Sequence, residues 1–333
     1  MNTSSLDGKV ILITGGTGSF GTAMTRYLLE NHNPKAVRIF SRDEYKQFQM
    51  QRRIDDSRLR FLLGDVRDKE RVRRACVDVD VVFNAAALKQ VPFCEYNPFE
   101  AIQTNIMGAM NVVDAAIDTG VSKVLTISSD KAVSPVNLYG ATKLCAEKVF
   151  IHGNSYSGKR PTLLSCVRYG NVIGSRGSVL PLFLEQRAKH RLTVTDLRMT
   201  RFWITLDAAV AFVIDSLEQM VGGEIFVPKL PSMKVVDLAR AVDPQAEIVE
   251  VGVRQGEKLH ETMVMAEESS HTVSYKNTYI ILPEWYSTEV KRPYLGQYLG
   301  EGITYASNTN SQWLSHLEMQ QIVADYELQA ADR

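Results

Sequence analysis

Val10-Ile11-Leu12-Ile13-Thr14-Gly15-Gly16-Thr17-Gly18-Ser19-Phe20-Gly21 is the stretch on which the reading of this chain turns. The apolar run Val10 to Ile13 predicts a buried strand, and a helix is predicted from about Phe20 to His32. Between them, glycines at 15, 18 and 21 give G-x-x-G-x-x-G spacing. Such a turn lets backbone close on a pyrophosphate, and the helix start behind it offers free N–H groups and partial positive charge. Gly15, Thr17, Gly18, Ser19, Phe20 and Gly21 are therefore the candidate dinucleotide-binding residues here. A plain strand-to-helix turn is the alternative, and the matching context on both sides favours the dinucleotide.

Outward from this turn, short apolar segments alternate with helical stretches. Strands are predicted at Ala36 to Phe40, Leu59 to Leu63, Val79 to Phe83, Lys123 to Ser128 and Leu163 to Arg168. Helices are predicted at Pro98 to Thr119 and Tyr139 to Phe150. Strict alternation implies an α/β fold with a parallel sheet covered on both faces, wound doubly by right-handed crossovers. After about Asn171 the pattern loosens, with helices predicted at Val179–Lys189, Leu206–Met220 and Val235–Ala241. We expect a Rossmann dinucleotide domain over 1–170 and a smaller α/β substrate lobe over 171–333, interleaved where the chain returns. The tail from Tyr275 onward, rich in Tyr, Pro and polar residues, receives no assignment.

Bulk properties narrow the function class. Among 333 residues, 38 Lys plus Arg balance 38 Asp plus Glu, which argues against broad attraction to nucleic acid or anionic lipid. No run approaches ~18 apolar residues, and Met1 to Gly8 is polar, so neither a membrane span nor a signal peptide is expected. Cys76, Cys94, Cys145 and Cys166 lack C-x-x-C spacing and read as small hydrophobes in a reducing compartment. The six histidines form no ligand pattern, so no metal is expected, and the chain reads as cytoplasmic.

The end of the second strand bears on the cofactor. NAD enzymes usually carry Asp or Glu about 20 residues past the glycines, against the ribose hydroxyls. Here stand Ser41 and Arg42, with Asp43 and Lys46 beyond. Ser and Arg can hold a 2′-phosphate that a carboxylate would repel, which favours NADP; Arg42 and Lys46 as solvated charges at a helix start are the alternative. Asp65 and Val66 are placed to meet the adenine, and Ala85 and Ala86 to pass beneath the cofactor.

Tyr139 and Lys143 form Y-x-x-x-K, and i and i+4 share a helix face. An ammonium beside a phenol is expected to lower its pKa, letting Tyr139 take a proton from a hydroxyl as hydride leaves the same carbon. Ser129, ten residues earlier at the end of the fifth strand, can hydrogen-bond that hydroxyl. Asp130 and Lys131 add a second acid/base pair that a simple dehydrogenase does not need; an ion pair closing a strand is the alternative.

These residues carry a resemblance. Over its full length the chain resembles the extended short-chain dehydrogenase/reductases, and most closely the soluble UDP-N-acetylglucosamine 4,6-dehydratases that invert C5, which open pseudaminic acid biosynthesis. Matching segments include GGTGSFG (15–21), SRDE (41–44), GDVRD (64–68), AAALKQVP (85–92), SSDKAVSPVNLYGATK (128–143), RYGNVIGSRGSV (168–179), MTRFWIT (199–205), GGEIFVPKLPSMK (222–234) and GEKLHE (256–261). The family usually has Thr at Ser129 and Pro at Gln255. Retaining dehydratases carry Asp-Glu in place of Asp130-Lys131, and membrane-bound relatives lack the Tyr, so both departures favour the soluble inverting group.

The resemblance implies a reaction: C4 oxidation with Tyr139, Ser129 and Lys143; C5 proton removal by Lys131 with an unusually low pKa; C6 hydroxyl loss aided by Asp130; hydride return to C6; and reprotonation of C5 from the opposite face. It implies Val172 beside NADP, Lys89 between cofactor and sugar, and Asn171, Arg176, Gly177, Ser178, Val179, Arg201, Arg254 and Glu257 around the UDP-sugar. Because many relatives self-associate through helices corresponding to 98–119 and 139–150, a homo-oligomer is expected. The rivals are a dehydratase/5-epimerase serving N-acetyl-L-fucosamine or capsule sugars, a simple epimerase or reductase, and a non-catalytic NADP-sensing module.

Overall fold

The apolar segments of the first half form strands β1 (Val10–Thr14), β2 (Ala36–Ser41), β3 (Leu59–Leu63), β4 (Val81–Asn84), β5 (Lys123–Ile127) and β6 (Leu163–Val167). They belong to a computed structural model that describes residues 5–175, 177–286, 294 and 296–331. All six pair in parallel in the order β3-β2-β1-β4-β5-β6. That is the doubly wound dinucleotide order, with its switch point between β1 and β4. β1 and β4 are buried at every position, as continuous apolar runs under helices on both faces require.

The fourth strand starts two residues later than its apolar run suggests. Val79 N–H bonds back to Cys76 O, closing a turn after the helix Lys69–Cys76, and only then does the chain enter the sheet. The stretch predicted as one helix over Pro98 to Thr119 is continuous but changes pitch. Pro98–Ile102 is α, Gln103–Met107 is a π turn, and Gly108–Thr119 is α again.

Beyond residue 171 the chain works in two places. Ile225–Pro228 returns to extend the parallel sheet beside β6. Three antiparallel edge strands follow, Thr272–Tyr275 and, in the tail left unassigned by its composition, Thr278–Ile281 and Gln297–Tyr298. The remaining segments build a smaller unit, with Thr200–Ile204 between Ser232–Lys234 and Asn171–Val172. A separate core of Leu180, Phe183, Leu192, Trp203, Leu238 and neighbours supports it. The helix His316–Ala331 lays Met319 and Val323 on that core.

One buried charge cluster ties the helix Leu138–Gly153 to the later chain. Arg168, 1% exposed, donates to both Glu147 carboxylate oxygens at 3.1 and 2.8 Å, to Glu268 at 3.0 Å twice, and to Met263 O at 2.8 Å. Removing the cation would strand two carboxylates away from water. Arg168→Ala is therefore expected to destabilise the protein by about 3–5 kcal/mol, read from urea unfolding.

Candidate active site

At the switch point the strand ends are locked by buried polar groups. Thr14 Oγ1 donates to Asn84 Oδ1 at 2.6 Å, and Asn84 Nδ2 donates to Thr126 Oγ1 at 3.0 Å. Ala86 N–H donates to Thr14 Oγ1 at 3.3 Å, bringing the Ala85–Ala86 backbone against Gly15. Gly18 caps the helix Ser19–Asn31, whose first residues are Ser19, Phe20 and Gly21. A Cβ on Gly21 would lie 2.5 Å from Gly16 Cα and 2.6 Å from its carbonyl oxygen. Gly21 thus lets the helix start pack directly on the turn, the role of the third glycine in such a motif. Gly21→Ala is expected to force helix and turn apart and to weaken dinucleotide binding about tenfold or more, measured by calorimetric titration.

Thr17 and Ser41 share a buried hydroxyl–hydroxyl hydrogen bond of 2.8 Å, joining the glycine turn to the end of β2. Asp43 accepts from Lys46 N–H at 3.0 Å, capping the helix Glu44–Arg53, and pairs with Lys46 Nζ at 2.6 Å. Arg42 lies 3.6 Å from Asp65. The two cations expected at a 2′-phosphate therefore each face a carboxylate, and Asp43 is explained as a helix cap. Val66 is buried, with Gly108 packed against it.

Ser129, Asp130 and Lys131 follow β5 as predicted. Ser129 caps the short 3-10 turn Asp130–Ala132; its Oγ donates to Asp130 Oδ1 at 2.8 Å and accepts from Lys131 N–H at 3.2 Å. Asp130 is wholly buried, and its Oδ2 has no hydrogen-bond partner among the described residues. Lys131 Nζ lies 3.2 Å from Asp130 Oδ1, 3.3 Å from Asn171 Oδ1 and 3.5 Å from Glu261 Oε1. Asp130 and Lys131 thus form an ion pair, and that pair is aimed into a cluster shared with the second unit.

The helix Leu138–Gly153 carries Tyr139 and Lys143, both buried. Gly140 lets it approach: a Cβ there would collide with Lys131 O. Asn105, in the π turn, donates to Leu88 O at 2.9 Å and to Thr142 Oγ1 at 2.9 Å, and accepts from Leu88 N–H at 2.8 Å. The change of pitch thereby fixes the Leu88–Lys89 segment to the Tyr139 helix. π turns often mark functional sites for such reasons.

Two electrostatic expectations need correction. Lys143 Nζ donates to Ile127 O at 2.6 Å, and the cation that lowers the Tyr139 phenol is Lys131. Burial outweighs that cation and pushes the phenol up to about 12. Lys131 does not have a depressed pKa either. Burial works against its charge, but the Asp130 and Glu261 carboxylates outweigh burial and hold the ammonium well above its ordinary value.

The expected substrate contacts divide. Lys89 Nζ reaches Ser175 Oγ at 3.5 Å, joining the segment after β4 to the segment after Asn171 and Val172. Ser178 Oγ is buried and has no hydrogen-bond partner among the described residues; it lies just ahead of Val179, which opens the helix Val179–Arg187. Beside Gly177, the Gln90 side chain fills the space a Cβ would need. Arg176 lies outside the described residues. Arg201 is buried and donates to the carbonyls of Thr200, Leu259 and Lys258 at 2.8, 3.0 and 3.0 Å, which occupies much of its guanidinium. Arg254 is exposed on a loop, its N–H 3.4 Å from Glu257 Oε2, and Asn137 holds that loop through Gly256 O at 2.7 Å. Sequence reading missed Glu261 and Lys258 as individuals. Both lie in the matched GEKLHE segment, where only Glu257 was singled out.

The family described as "Polysaccharide biosynthesis protein" matches residues 11–283. A Campylobacter jejuni subsp. jejuni serotype O:23/36 (strain 81-176) protein named UDP-N-acetylglucosamine 4,6-dehydratase (inverting) is 48% identical over 326 residues, covering 95% of this chain and 98% of that one. A Rickettsia conorii protein named UDP-glucose 4-epimerase is 43% identical over 281 residues, 82% of each chain. The crystal structure of Pen from Bacillus thuringiensis superposes with a TM-score of 0.89 at 38% identity, covering 97% of this chain and 99% of that one.

Proposed function

From the premise that this chain belongs to the polysaccharide biosynthesis protein family, we propose that it is a hydro-lyase removing water from UDP-N-acetylglucosamine across C5 and C6, with inversion at C5. The observation that carries this reading is the buried Asp130–Lys131 pair beside Tyr139 at the carboxyl edge of a dinucleotide-type sheet. An epimerase or reductase needs no second acid/base pair. The shared substrate leaves the dehydratase/5-epimerases as neighbours in chemistry, and the inverting relative's 98% coverage favours the reading given.

A bound nicotinamide dinucleotide would accept hydride from C4 and return it at C6, so there is no net redox change. Gly15, Gly18 and Gly21 would hold its pyrophosphate, and Thr17 and Ser41 would reach its adenosine side. Arg42 and Lys46 favour NADP, since a 2′-phosphate can draw both cations from Asp65 and Asp43.

Tyr139, assisted by Ser129, takes the C4 hydroxyl proton, and Lys143 orients the helix by holding Ile127 O. The resulting ketone acidifies the C5 proton. At rest Lys131 holds the proton and Asp130 is its carboxylate partner. Moving one proton along that 3.2 Å contact leaves Asp130 as the acid for the departing C6 hydroxyl and Lys131 as the base for C5, with no change in total charge. Asp130 Oδ2, buried and without a hydrogen-bond partner among the described residues, suits that leaving oxygen. Asn171, Arg176, Gly177, Ser178, Val179, Arg254 and Glu257 would grip the UDP part, with Lys89 between sugar and cofactor.

The reaction would open pseudaminic acid biosynthesis, as the inverting chemistry suits, and its nucleotide substrates suit a cytoplasmic enzyme. Exposed Phe93, Tyr96, Phe99, Met107 and Met110 form an apolar face that supports self-association into a homo-oligomer. Among the described residues no helix is long and apolar enough to cross a membrane. The test is incubation with UDP-N-acetylglucosamine and NADP⁺. Appearance of a product lighter by one water is expected, and a product of unchanged mass would point to an epimerase.

A further inference from the structure

We infer that Glu261 is a positioning residue of the acid/base pair: its buried carboxylate holds the Lys131 ammonium alongside Asp130 and sets how readily that lysine gives up its proton. This rests on reading Lys131 as the base. Glu261 is 2% exposed, and it precedes the strand Thr262–Val264 that packs against the Asp130–Ala132 turn. Its Oε1 lies 3.5 Å from Lys131 Nζ and 3.8 Å from Arg201 Nε, and its Oε2 lies 3.9 Å from Lys258 Nζ. A carboxylate so deeply buried is costly unless paired, and here one anion faces three cations.

The groups facing Lys131 are Asp130 on its own turn, Tyr139 on the helix behind it, Arg201 on the strand Thr200–Ile204, and Glu261. Lys258 stands behind Glu261, with its Nζ donating to Val133 O. Among these, Asp130, Glu261 and, least, Tyr139 raise the proton affinity of Lys131, and Arg201 lowers it. Asp130 is consumed as the proton partner in elimination, so Glu261 is the group free to adjust the lysine. Arg201 and Lys258 offset part of its charge, which keeps Glu261 from locking the proton on Lys131. Burial raises the Glu261 carboxyl itself above its usual range, against the pull of Lys131.

The test is titration of the Lys131 side-chain Cε resonance in ¹³C-lysine-labelled protein, assigned by its loss in Lys131→Arg, for the wild type, Glu261→Gln and Glu261→Asp. Gln keeps the size and removes the charge. We expect the Lys131 midpoint in Glu261→Gln to fall by about one pH unit or more, with Glu261→Asp between the two. The dehydration pH profile should move the same way in the Gln variant. A Lys131 midpoint unmoved in both variants would overturn the inference, even if activity fell uniformly across pH. The resonance titrates whether or not water is lost, so failure of the wild type to dehydrate would count against the proposed function and not against this assignment.

Discussion

Lys131→Ala is expected to retain oxidation at C4 and to lose dehydration by about 100- to 10,000-fold, the span over which positioned acid/base groups act. Lys131 is the one amine paired with Asp130 among the described residues, at 3.2 Å, and it also lies 3.3 Å from Asn171. Tyr139 and Lys143 stand on a separate helix and stay in place in the variant, while Tyr139 loses the cation that lowers its phenol, so C4 oxidation slows without being lost. Single-turnover absorbance should therefore show reduced dinucleotide accumulating without 4-keto-6-deoxy product. Full dehydration by the variant would remove Lys131 from the mechanism. Dinucleotide affinity is expected to stay at the wild-type level, since the partners of Lys131 among the described residues are Ser129, Asp130, Asn171 and Glu261 and not the glycine turn.

Tyr139→Phe should fail one step earlier. The ring packs with Cys94, Ala101, Leu88 and Val91, and Phe preserves that packing while removing the proton acceptor. C4 oxidation is expected to drop by about 100- to 10,000-fold. No reduced dinucleotide should accumulate, and the C5 proton should not exchange with solvent, because its acidity depends on the C4 ketone. The two variants thus separate by which half-reaction survives. With its phenol pushed up to about 12 by burial even beside Lys131, Tyr139 depends on further positive charge, which the bound nicotinamide would bring. If Tyr139→Phe still reduced the dinucleotide at wild-type rate, another base would have to be sought.

Much of this was legible in the sequence because the decisive signals are local. A strand, a glycine turn and a helix follow one another within residues 10–31, and the Ser129–Lys143 segment places its reactive side chains by short spacing alone. What was not legible depends on distant chain segments meeting. Glu261 reaches Lys131 from 130 positions away, and nothing in the matched GEKLHE segment tells that its last residue meets Lys131. Asn105 resembles any polar residue on a helix, yet a change of pitch that leaves no clear mark in composition turns it toward Leu88 and Thr142. The predicted low pKa of Lys131 failed for the same reason, since one of the two carboxylates that oppose it could not be seen from the motif. The tail after Tyr275 went unassigned because the strands it adds to the sheet, Thr278–Ile281 and Gln297–Tyr298, are four and two residues long and take their direction from the edge they join.

The claim on which the rest depends is that Lys131 and Asp130 drive elimination with a change of face at C5. Its most direct test is NMR of the product formed from UDP-N-acetylglucosamine in deuterated water. We predict a 4-keto-6-deoxy sugar carrying deuterium at C5 with the inverted, L-arabino configuration. A product that retains the D configuration at C5, or that keeps its C6 hydroxyl, would contradict the account.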